Sequence, residues 1–112
     1  MSIAVAATKN ALAETYGALG GWISAHTGAP GTNGANEASG GAYSRKQTTW
    51  GTASGGTITG SEVEIDAEAG TYTAAGLWTA ENGGTFIDTV AVVATTLGAP
   101  GKLRVTPTYT QT

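Results

Sequence analysis

SEVEIDAE, residues 61–68, decides the fold class. Val63, Ile65 and Ala67 alternate with Glu62, Glu64, Asp66 and Glu68, a period of two that sends apolar side chains to one face of a strand and carboxylates to the other. Same-face neighbours on a strand stand roughly 6.5–7 Å apart, so this acidic row repels itself unless cations lie alongside. The complementary segment is 102–105, where Lys102 and Arg104 alternate with Leu103 and Val105. Pairing the two segments joins the apolar rows and sets opposite charges side by side, each pair contributing about 0.2–1 kcal/mol. Pro107 ends the second strand or confines it to an edge.

Outward from this pair, short runs rich in Thr and aromatic residues are broken by GG, NG, PG and SGG at roughly ten-residue intervals, the spacing of an all-β domain. The predicted strands are 22–27, 43–50, 57–67, 71–79, 85–94 and 102–110. Most of the 20 Thr fall in or beside them, where a β-branched side chain suits a pleated surface. GAPGTNGANEASGGA, residues 28–42, is a long loop by composition. Ahead of Gly20-Gly21, the Ala-rich segment 3–19 reads as a helix with Leu12, Tyr16 and Leu19 along one stripe, and Ser2 or Thr8 as the available caps. The expectation is a single domain over 1–112 and mainly β: a small β-sandwich or jelly-roll-like fold spanning 22–110, with one N-terminal α-helix.

The chain has 112 residues, a formal net charge of -3 and no Cys. Hydrophobic residues make up 40 %, but 20 of them are Ala, leaving only 25 larger ones. So thin a core points to an oligomer or an assembly component, stabilised in part by its neighbours. The longest uncharged run, 15–36, is rich in Gly and polar residues, so no membrane span is expected. The opening MSIAVAATKN has no basic residue before its brief apolar patch, so no secretory leader is expected. Five scattered cations make a poor footprint for phosphate backbones, and nucleic acid is not an expected partner.

Few residues can carry chemistry. His26 is the one imidazole; it lies in WISAHT with Trp22 and Ser24 on its face, lacks a nucleophile elbow, and reads as the end of a strand bonded to a neighbour. The acidic row at 62–68 splays its carboxylates in a line, whereas glycosidase pairs and calcium sites converge theirs. A cation site is easier to build from Asn33, Asn36 and Glu37 in the long loop, yet no metal or other cofactor is expected. Trp22, Trp50 and Trp78 could form a sugar platform, but a chain with one Phe needs them for its core. Arg45-Lys46 is too short for a nucleic-acid patch and reads as one cross-strand pair and one subunit contact. The Gly-rich loop lacks the GK[ST] ending of a phosphate cradle. No enzymatic activity is expected.

Two blocks, SAHTGAPGTNGANEASGGAYSRKQTTW at 24–50 and AGTYTAAGLWTAENGGTFI at 69–87, resemble a family of small virion structural proteins of actinobacterial tailed phages, labelled head decoration, minor tail or tail fibre proteins. The matching residues are His26, Thr27, Pro30 and Gly31; Gly34 to Glu37; Gly40, Gly41, Tyr43, Arg45 and Trp50; and Gly76, Trp78 and Gly83 to Phe86. AATKNALAETYGAL is similar to the family's opening helix. Relatives often carry Asp where this chain has Ala29, so any role of that Asp is absent here.

The resemblance implies a non-enzymatic protein assembled in many copies in the virion, itself built in the host cytoplasm. The expected function is capsid decoration: a minor capsid protein bound to the major capsid protein or other virion proteins on the head surface, bridging capsomers as a homo-oligomer, with a trimer the natural guess at local threefold sites. The chain shows no stalk, heptads or collagen-like repeat, which suits surface capping better than a long fibre. The alternatives are a tail fibre or tail-tip protein and, from another class, a carbohydrate-binding module. The expected interface comprises Ile3 and Val5, which have no evident role within the chain, the loop residues Asn33, Asn36 and Glu37, and Arg45 with Lys46.

Overall fold

A computed structural model of the chain describes residues 2–112, with every side chain among them except those of Val92 and Val93. Helix α1 (Ala6–Leu19) precedes eight strands: β1 (Trp22–His26), β2 (Lys46–Gln47), β3 (Thr57–Thr59), β4 (Val63–Ala67), β5 (Gly70–Trp78), β6 (Phe86–Leu97), β7 (Gly101–Val105) and β8 (Thr108–Thr110). The alternating charges do what their pattern requires: β4 and β7 pair antiparallel with Glu64 opposite Arg104, Ile65 opposite Leu103 and Asp66 opposite Lys102. Lys102 Nζ lies 2.6 Å from Asp66 Oδ1, and Arg104 lies 3.7 Å from Glu64.

This ribbon packs its apolar row onto an antiparallel sheet of order β2-β1-β5-β6, forming a small β-sandwich. Its core joins Val63, Ile65, Leu103 and Val105 to Ile23, Ala25, Ala75 and Leu77. A second ribbon, β3 with β8, carries α1 and forms a separate cluster of Ala13, Ala53 and Ile58 with Trp50 and Tyr109.

Two predicted strands are each divided in two. The run at 57–67 bends after Thr59, where Gly60 N–H donates to Pro107 O and Ser61 N–H to Thr49 O. The run at 102–110 bends at the buried Pro107, which has no N–H for a ladder. Each half goes to a different ribbon, so these bends join the sandwich to the helical end. Only Lys46 and Gln47 of the run at 43–50 pair with β1, and the run at 85–94 extends to Leu97.

The helix starts at Ala6, with extended Val5 before it and no side-chain cap from Ser2 or Thr8. Its packed face is not the expected Leu12–Tyr16–Leu19 stripe. Ala13 and Gly17 are buried, Tyr16 is half-buried, and Leu12 and Leu19 are 42 % and 50 % exposed. Contact is closest at Gly17, where a Cβ would stand 2.9 Å from Ile58 Cδ1 and 3.1 Å from Trp50 Cγ. Tyr16 stacks on Tyr109 at 3.8 Å between ring centres and donates to Asp88 Oδ2 at 2.9 Å.

Candidate functional site

The loop at 28–42 does not project. It folds back on the face of the four-stranded sheet opposite the sandwich core. Thr27 N–H donates to Asn36 O and Ala38 N–H to Ala25 O, so that Glu37 bridges His26 in antiparallel register. That face carries Ser24 and His26 from β1 and Gly76 and Trp78 from β5, with Ser24 directly opposite Gly76. The glycine is needed there, because a Cβ would lie 2.6 Å from Ser24 Oγ and 2.8 Å from His26 Nε2.

Ser24 and His26 have no exposed surface. His26 Nδ1 lies 2.7 Å from Ala35 O; a carbonyl only accepts, so Nδ1 carries the proton and Nε2 is the acceptor. Ser24 Oγ, 2.6 Å away, donates to Nε2 and accepts from Trp78 Nε1–H at 2.8 Å. The result is a directed chain from Trp78 through Ser24 and His26 to the loop backbone. Burial lowers the His26 pKa, outweighing the bond to Ala35 and the nearby Glu37 charge. A serine bonded to a histidine resembles a hydrolytic dyad, but here both side chains are buried beneath the returning loop.

Beside this chain lies an ion pair. Arg45 grips Glu37 with two parallel bonds of 2.9 Å, Nε to Oε2 and Nη2 to Oε1, while Nη1 donates to Ala80 O and Gly83 O at 3.0 and 2.7 Å. The guanidinium lies over Trp78, 3.6 Å from the ring centre, at the range of a cation–π contact. Tyr43 OH donates to Glu37 Oε2 and accepts from Ala25 N–H. Burial pushes the Glu37 carboxyl up, but bonds from Arg45 and Tyr43 and the Arg45 charge outweigh it, leaving the group below the usual carboxylate range. Burial raises the Tyr43 phenol well above its ordinary value. Phe86 meets both Trp78 and His26 edge to face. Gly34, at φ +76°, lies so close to Trp78 that a Cβ would stand 2.4 Å from Cζ2; only glycine meets both demands. A shallow cavity of about 270 Å³ opens next to the pair, lined by Glu37, Ser39, Tyr43, Arg45 and Asn82 among others.

The expected interface residues are therefore dispersed. Arg45 is buried, and its guanidinium is engaged within the fold, which corrects its assignment as a subunit contact; Glu37 is its partner. Asn36 adopts φ 62° and donates its amide to Ala29 O, so Asn33, Asn36 and Glu37 do not gather around a cation. Among the described residues no cluster of His, Asp and Glu suits a metal. Lys46 Nζ lies 3.9 Å from Asp66 Oδ2, between the four-stranded sheet and the β4–β7 ribbon. Asn33 and Val5 are exposed and Ile3 is half-buried. Trp78 is buried, while Trp22 and Trp50 are half-buried, Trp50 Nε1–H donating to Gly20 O.

Sequence reasoning missed the Trp78–Ser24–His26 chain and the Glu37–Arg45 fork. Polar Ser24 and His26 on a strand otherwise built for a core, with glycine two residues before Trp78, were the available signals. His26, GANE, Tyr43, Arg45, Trp78, Gly83 and Phe86, scattered over sixty positions of sequence, meet at this one cluster.

The family model of the podophage GP4 fiber I protein gp80 matches residues 7–107. The chain belongs to the gp80 family. The match begins in the first turn of α1 and ends at Pro107, enclosing the whole cluster and the bends between the ribbons. The gp80 family is one of phage virion structural proteins, which gives the chain its setting in the virion and other virion proteins as its partners. No curated protein and no solved structure matches the chain.

Proposed function

We propose that the chain is a non-catalytic structural module of a phage tail fibre. The observation that carries this reading is the gp80 family match over residues 7–107, whose description is that of a fiber protein. It favours the tail-fibre alternative over head decoration, for which the comparison offers no support. The geometry agrees with a building block. The motif residues point inward and lock a glycine-rich loop to a sheet, giving a rigid outer surface from a chain with few bulky side chains. The one Ser–His pair is sealed, and Arg45, the most buried charge, holds backbone carbonyls in place.

Copy number and position test the proposal. Quantitative mass spectrometry of purified particles, with antibody labelling in electron micrographs, should find a modest number of copies at the tail. Hundreds of copies distributed over the head would overturn it.

A further inference from the structure

Of the four Asn in the chain, two precede glycine: Asn33 before Gly34 and Asn82 before Gly83. Asn-Gly is the pairing most open to ring closure, because glycine has no Cβ to keep its backbone nitrogen away from the preceding side-chain carbonyl carbon. The fold treats the two pairs oppositely. Gly34 is buried, with Trp78 and Phe86 only 2.4 and 3.1 Å from where a Cβ would stand. The next residue is held on both sides, Ala35 N–H donating to Pro30 O and Ala35 O lying 2.7 Å from His26 Nδ1. Closing a ring at Asn33 turns the Asn33–Gly34 peptide, and this packing resists the turn. Asn82 and Gly83 lie in the connection between β5 and β6, where residues 81–85 are all exposed and nothing beyond the chain neighbours stands within 4 Å of a Cβ on Gly83. Among the described residues the Gly83 N–H donates to no carbonyl, so the nitrogen that would attack is free. The connection is nonetheless anchored around Asn82. Arg45 Nη1 donates to Ala80 O and Gly83 O at 3.0 and 2.7 Å, and Thr79 N–H donates to Thr85 O at 3.1 Å.

We propose that Asn82 is a self-modification site, and that its conversion to aspartate and isoaspartate loosens the hold of Arg45 on the β5–β6 connection. Gly83 N attacks Asn82 Cγ: the N–Cγ bond forms, the Cγ–Nδ2 bond breaks, and the amide group leaves as ammonia with the proton from Gly83 N. Water then opens the cyclic imide. Attack at Cγ breaks the new bond and gives aspartate; attack at the backbone carbonyl carbon breaks the original peptide bond and gives isoaspartate, with one more atom in the main chain. That atom falls between two carbonyls held by a single nitrogen, so the spacing that lets Nη1 reach both is lost. Either product also adds a carboxylate beside Glu81, at the rim of the cavity that Glu37 and Arg45 line, where it competes with Glu37 for the guanidinium. The inference goes beyond the fibre reading: particle position tests one and chemistry in the purified chain tests the other, so each can fail alone.

The test uses the full chain, freshly purified and then kept for weeks in mildly alkaline buffer made with heavy-oxygen water. Peptide mapping by mass spectrometry should find a solvent oxygen at residue 82, with conversion there about tenfold faster than at residue 33 or more, since a packed loop reacts only through local opening. In concentrated urea the two sites should convert at similar rates, because the fold alone distinguishes them. Aged chains should melt below fresh ones. Asn82→Gln, whose longer side chain closes a ring far more slowly, should neither convert nor lose melting temperature with age. Equal rates at residues 33 and 82 in the folded chain, or no conversion at residue 82, would overturn the site. A rate difference that persists in urea would assign the selectivity to sequence neighbours and overturn the structural argument. Aged chains that carry isoaspartate yet melt unchanged would overturn the loosening of Arg45.

Discussion

Arg45 acts as the pin of the domain. It ties the returning loop through Glu37, the β5–β6 connection through Ala80 and Gly83, and the Trp78 ring beneath it. Arg45→Ala leaves Glu37 partly buried without its cation and two carbonyls without donors, and should cost about 3–5 kcal/mol, read as a lower midpoint in urea. Arg45→Lys keeps the charge but not the planar fork and should fall between. His26 makes a pH prediction. Its folded pKa lies below the ordinary value, so as pH falls through about 6.5 the unfolded chain takes up a proton that the folded chain refuses. Stability should decline from there until pH reaches the folded value, then level. Glu37, also depressed, contributes stability present above the ordinary carboxylate range and lost as pH falls through its folded value. Melting temperatures followed from about pH 8 to pH 5 should show the first decline, and His26→Gln should abolish it. The sequence displayed each of these residues but not their meeting, because Glu37 and Arg45 are joined by a loop whose path depends on Gly34 fitting against Trp78.

Among the elements, the pairing of β4 with β7 was legible, though not where each strand begins and ends. Opposite charges on the same period specify the partner and the shared faces, since a slip of one residue would bury the charged row; the antiparallel direction and the exact register are set by the fold. The face of α1 was not legible, because periodicity weights large side chains, and here the packed face is defined by the smallest ones. Close approach at Gly17 replaced hydrophobic bulk with fit. Gly17→Val should therefore push α1 away from Ile58 and Trp50 at a cost of about 1–3 kcal/mol, with faster amide exchange in α1 than in β4 and β7. Exchange unchanged in α1 would show that the helix does not depend on this contact. The divided strands were obscured for a different reason: pairing propensity continues through 57–67 and 102–110, and the bends come from Gly60 and Pro107 meeting each other across the fold.

At the scale of the molecule, which measures 47 × 24 × 24 Å, the core is divided into two clusters, the sandwich core and the helical cluster around Ile58, with Trp50 packed against both. Such an arrangement should open in parts. Ile58→Ala should cost about 2–5 kcal/mol and release protection first in α1, β3 and β8, whereas Ile65→Ala should weaken the whole sandwich; uniform loss in both variants would mean that the clusters fold as one. The sugar-platform reading also meets its test here. Trp78 supports Arg45 and donates to Ser24, so Trp78→Ala should fail to fold stably instead of losing glycan adsorption alone, as checked by dichroism alongside binding to host wall polysaccharide.

The two ribbons also set the timing of synthesis. β4 waits for β7 and β3 waits for β8, so neither ribbon closes until residues 101–110 have emerged from the ribosome. A polypeptide broken off before Gly101 leaves β4 and β3 without their ladder partners and presents open strand edges to the cell's proteases. Truncation before Gly101 should therefore shorten the polypeptide's lifetime in cells, as a pulse-chase experiment would read.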